Sequence, residues 1–87
     1  MTDKEKALSA LKIAKDSNTI KLKGKISTKD VIIYNYLNKA YDVLTQEIKH
    51  GHIIIKTPQQ LKLLITQRFN ELLEADSNQM TLNKNIN

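Results

Sequence analysis

The chain has no cysteine, no tryptophan, one proline and two glycines in 87 residues. Without cysteine there is no disulfide framework, no thiolate nucleophile and no thiolate metal site. With only Gly24 and Gly51, no glycine-rich loop can wrap a nucleotide phosphate. The two histidines, His50 and His52, lack a third ligand at metal spacing. His50 has a simpler use near a helix C-terminus, where it can meet open carbonyls and the negative end of the dipole. No apolar run reaches the roughly 20 residues that span a bilayer. The opening "MTDKEKALSALK" mixes acids and lysines where a signal peptide would be continuously apolar. These absences set the expectation of a cytoplasmic, non-enzymatic protein with no cofactor, no metal and no membrane association.

Positive charge is what the chain has in excess. The net charge is +5, and residues 1–29 carry all of it; the acids and bases of residues 30–87 balance. Such asymmetry points to a polyanionic partner. The bases are thirteen lysines and one arginine. Lysine is a mobile point charge rather than a bidentate fork, which favours phosphate contacts over base reading. The Lys, Ile and Asn content also fits AT-rich coding, as in a phage or plasmid.

Three helix starts are legible. Thr2-x-x-Glu5, Ser27-x-x-Asp30 and Thr57-Pro58-Gln59-Gln60 each set a capping residue three places before a side chain able to reach back. They predict helices over about 3–15, 28–50 and 58–75, with "DSN" at 16–18 stopping the first and Gly51 closing the second. On the second helix, Ile33, Tyr34, Leu37, Ala40, Tyr41, Leu44 and Ile48 share a face that Ile32, Tyr36 and Val43 widen to about 200°. So broad a stripe predicts two neighbours. Arg68 borders the apolar face of the third helix and reads as a side chain whose stem covers apolar surface.

Two short stretches read as strands. "TIKLK" alternates at period two over about 19–23, and "HIIIK" is a β-branched run over about 53–56. The expected fold is therefore α+β and mostly helical, in the order α-β-α-β-α. It forms one domain over 1–75, followed by an Asn-rich, disordered tail over 76–87. A two-stranded sheet is marginal alone, which favours a homodimer.

With Ile20 and Leu22 facing inward, such a strand projects Lys21, Lys23 and Lys25 together. Lys12 and Lys15 from the first helix and Lys29 from the second complete a candidate phosphate-binding patch. Ile32, Tyr36, Val43 and the outward-pointing Leu63 form a candidate oligomer or partner interface. A basic strand ahead of two helices resembles ribbon-helix-helix DNA-binding repressors, which implies that residues 21, 23 and 25 face the groove. The order helix, "IKLKGKIS", helix, "HIIIK" is similar to Alba-type chromatin proteins over about half the chain. The long second helix departs from the first pattern and the missing opening strand from the second, so neither family is assigned. The resulting expectation is a small nucleic-acid-binding accessory or regulatory protein, with DNA favoured over RNA. The alternative is an inhibitor or assembly adaptor that binds a host protein through helices 2 and 3.

Overall fold

The computed structural model describes residues 1–24 and 26–86, with side chains described through Asp76. It contains three helices, α1 (Asp3–Leu22), α2 (Thr28–Lys49) and α3 (Pro58–Ile86). No strand occurs among the described residues, so the α+β expectation is corrected to an all-helical fold. The disordered tail expected over 76–87 lies, past Asp76, outside the residues whose side chains are described.

Residues 19–22 are the last turn of α1, not a strand. A strand there would need a partner ladder for its N–H and C=O groups, whereas a continued helix satisfies them locally. Lys23 N–H reaches the carbonyls of Thr19 and Ile20, both at 3.2 Å, and Gly24 N–H reaches that of Lys21 at 3.1 Å. "DSN" does not stop α1 because Asn18 bonds across to α2 instead of to its own backbone. Its Nδ2 donates to the Tyr34 carbonyl at 2.8 Å and to Asn38 Oδ1 at 2.9 Å. In helical geometry Leu22 turns toward the face of Leu11, and Ile20, 71% exposed, points outward. The likeness to strand-bearing DNA-binding families falls with that strand.

The second expected strand, 53–56, is an extended connection without a ladder. Its alternation still sorts side chains: Ile55 is buried, Ile53 half-buried and Ile54 exposed. Ahead of it α2 closes through Gly51, whose φ of 74° suits a residue without Cβ. His52 N–H then bonds the Glu47 carbonyl at 2.9 Å. The three caps form as expected. Thr2, Ser27 and Thr57 hydroxyls accept from the backbone N–H of Glu5, Asp30 and Gln60 at 3.1–3.2 Å. Gln60 Oε1 in turn accepts from the N–H groups of Lys56 and Thr57 at 2.8 and 3.2 Å.

α2 packs against both α1 and α3, as its wide apolar face requires. The core is small: Ala7, Leu11, Leu44, Ile48, Ile55 and Leu61, edged by Leu8, Tyr41, Ile53, Leu64 and Ile65. Arg68 does more than cover surface. Its Nε and Nη2 donate to the two carboxylate oxygens of Glu47 at 2.7 and 2.8 Å, clamping α3 to α2, and Nη1 reaches Glu71 at 3.3 Å. The Arg68 hydrogen bonds hold the Glu47 carboxyl below its ordinary pKa, while partial burial pushes the other way. Its folded value thus lies below its unfolded one. The pair's stabilisation is complete above the ordinary glutamate range and fades as pH falls through the folded value. Glu47→Gln should cost about 1–2 kcal/mol at pH 7, allowing for partial exposure. In urea titrations the deficit should narrow below about pH 4; a pH-independent deficit would mean that lost packing, not the ion pair, is what the substitution removes.

Candidate nucleic-acid interface

The helical course of residues 19–22 redistributes the lysines. Side chains two apart share a face in a strand but diverge by about 160° in a helix. Lys21 and Lys23 therefore occupy opposite flanks of α1, and the strand-based grouping of Lys21, Lys23 and Lys25 does not form; Lys25 itself lies outside the described residues. Lys12 sits three turns before Lys23 on the same flank, about 16 Å along the axis. Lys15 is tied across the surface to α2, its Nζ 2.5 Å from Asp42 Oδ1. Lys21 Nζ lies 5.9 Å from the centre of the Tyr34 ring, a cation–π contact that leaves its charge available. Lys29 is exposed in the first turn of α2.

Three lysines nonetheless lie at one end of the α1–α2 hairpin, on different flanks. Lys21 and Lys23 close α1 there, Lys29 opens α2, and all three are exposed. Among the described residues no carboxylate forms an ion pair with any of them. Lys21 and Lys23 suit the C-terminal end of the α1 dipole, whereas Lys29 opposes the dipole of α2 and is not accounted for by folding. Exposed cations spread over one end of a hairpin can each meet a different phosphate of a polyanion.

The candidate interface divides. Ile32 (50% exposed), Tyr36 and Val43 (37% exposed) line one strip of α2, as the spacing predicts. Leu63, 59% exposed, does not join them, because it lies about 180° around α3 from Leu72, on the side away from α2. Tyr36 donates its hydroxyl to the Asp76 carboxylate, which holds the phenol above its ordinary pKa. Lys39 Nζ stands 4.9 Å from the centre of the Tyr36 ring.

Sequence reasoning missed the buried Asn18–Asn38 contact. Its signal was available: Asn18 stands seven residues after Leu11, on the same face if α1 continues. A notch of about 140 Å³ between the starts of α1 and α3 is lined by Ala7, Ala10, Ile55, Pro58 and Leu61 among others. That is below the roughly 300–1,000 Å³ of small-molecule pockets, which turns attention to the outer surface. His50 and His52 meet edge to face with ring centres 6.1 Å apart. Among the described residues no three His, Asp or Glu side chains gather at metal-binding distances, and no helix is long and apolar enough to cross a membrane. No protein-family model matches the chain, and comparison with curated proteins and with solved structures yields no match.

Proposed function

We propose that the chain is a non-enzymatic nucleic-acid-binding accessory or regulatory protein that grips duplex DNA by its phosphates. The observation that carries this reading is the set of exposed lysines, free of ion pairs, at the α1–α2 end, in the part of the chain that holds the entire +5 excess. Lys21, Lys23 and Lys29 make the principal contacts, and Lys12 extends them along α1. Lys15 is the weakest contributor because Asp42 already neutralises it.

Each lysine–phosphate contact releases a counterion, so the logarithm of the affinity should fall with the logarithm of salt at about −0.9 per contact. Titration of duplex DNA and RNA at several salt concentrations measures that slope. Replacing Lys21, Lys23 and Lys29 together with Gln should flatten it by about two to three units. The loss should be similar across unrelated sequences, since phosphate contacts position a protein without reading bases. Helical circular dichroism should stay unchanged, because exposed lysines contribute little to stability. No binding at low salt would end this reading, and an unaltered slope in the triple variant would place the contacts elsewhere.

The exposure of Leu63 and Ile54 favours a second reading, an inhibitor or assembly adaptor that docks a host protein. A complex that survives high salt and is lost in Leu63→Ser would support it.

A further inference from the structure

The outer strip of α2 runs Ile32, Tyr36, Lys39, Val43, at spacings of four, three and four residues. All four positions fall within about 60° on the helix surface. The spacing is that of a coiled-coil seam, and it reads the same from either end. We propose that this strip packs antiparallel against the same strip of a second copy, about a two-fold axis passing between Leu37 and Asn38.

In that register Ile32 of each copy meets Val43 of the other, so the two most exposed apolar side chains of α2 cover one another twice. At the centre, Tyr36 of each copy meets Lys39 of the other. Lys39 already stands over the Tyr36 ring of its own chain, so each ammonium can reach the second ring, and the Asp76 carboxylate that accepts the Tyr36 hydroxyl offsets the two ammonium groups that the axis brings near one another. Lys29 and Glu47 project on the same flank of the strip. In an antiparallel pair that flank meets itself, so at both ends Lys29 of one copy comes beside the Glu47–Arg68 ion pair of the other rather than beside an unpaired like charge. Phe69 and Leu73, half-buried on the adjoining side of α3, extend the apolar surface.

The other exposed apolar pair on a helix lacks this complementarity. Ile13 and Ile20 lie seven apart on the outside of α1. Pairing them antiparallel sets the flank that carries Lys12, Asp16 and Lys23 against itself, so Asp16 nears Asp16 of the other copy and Lys12 nears its Lys23, repulsions between copies. Charge and register together select the α2 strip and a second copy as its occupant. This inference does not depend on nucleic acid, and its test uses none.

Sedimentation of the full chain at micromolar to high-micromolar concentration should give a dimer. Val43→Glu buries two carboxylates in the contact and should weaken dimerisation at least about 100-fold, with the helical spectrum retained. Register is read by crosslinking, which the lack of native cysteine makes clean. Ile32→Cys chains mixed with Val43→Cys chains should form a disulfide-linked heterodimer on mild oxidation. Ile32→Cys alone should not, because its two copies sit about 17 Å apart along the axis, beyond disulfide reach. A monomer throughout that range overturns the proposal. So does a dimer unaffected by Val43→Glu, or one in which Ile32→Cys links efficiently to itself.

Discussion

Leu44→Ala is expected to lower the unfolding free energy by about 3–4 kcal/mol, measured by urea denaturation as a fall in midpoint at unchanged slope. Leu44 is 0% exposed and sits where α2 meets the cluster of Ala7, Leu11, Ile48, Ile55 and Leu61. Removing three carbons from such a site forfeits about 2.4 kcal/mol of transfer free energy. The cavity adds the rest, because α2 is held from both sides and cannot move to fill it. A domain of this length has roughly 4–13 kcal/mol of stability in total, so one substitution removes a large share. A loss below about 1 kcal/mol would mean that the surrounding side chains collapse into the space and that the core is not closed there.

Asn18→Asp should cost about 2–4 kcal/mol at neutral pH, although the two side chains have nearly the same shape. Asn18 is 5% exposed and donates two hydrogen bonds, to the Tyr34 carbonyl and to Asn38 Oδ1. A carboxylate in its place presents acceptors to acceptors and loses its hydration. Rotation of the Asn38 amide would relieve one of the two clashes and leave the Tyr34 carbonyl. The introduced acid would titrate above the ordinary aspartate range in the folded state. The sign follows: the penalty is full above the folded pKa, shrinks as pH falls toward the unfolded value, and is gone below it. Asn18→Asp should therefore recover much of its stability by about pH 3 relative to the parent chain. A deficit that persists unchanged in acid would assign the loss to packing rather than to charge.

Helix starts were legible because a cap is a local event: Thr2, Ser27 and Thr57 each bond a backbone N–H three residues on. The central position of α2 was legible too, since a stripe that wide has to be covered on two sides. Residues 19–23 were not. Over five residues, alternation and the last turn of a helix can leave the same apolar pattern, and what separates them is distant. It is whether Asn18 finds partners on α2, a tertiary fact that its seven-residue step from Leu11 marks only if α1 is taken to continue. Misreading that stretch moved the candidate site with it, because the face each lysine occupies follows from the backbone period. "HIIIK" misled for a related reason: β-branched residues favour extended backbone, and the connection is extended, but no neighbouring chain is there to make a sheet of it. The Arg68–Glu47 clamp joins two helices whose relative rotation no pattern within either one fixes.

The serial packing of the helices, with α2 between α1 and α3, also bears on how the chain reaches this structure. Each helix lies against its neighbour in the chain, and the connections, 23–27 and 50–57, are short. Closing them demands little loop entropy, and helical folds dominated by such near-neighbour contacts form in microseconds to milliseconds. The order of synthesis suits that economy. Ala7, Leu11, Asn18, Asn38, Leu44 and Ile48 all lie in the first fifty residues, so the α1–α2 hairpin has its own polar pin and four of the six core side chains before α3 leaves the ribosome. Ile55 and Leu61 then close over a surface already in place.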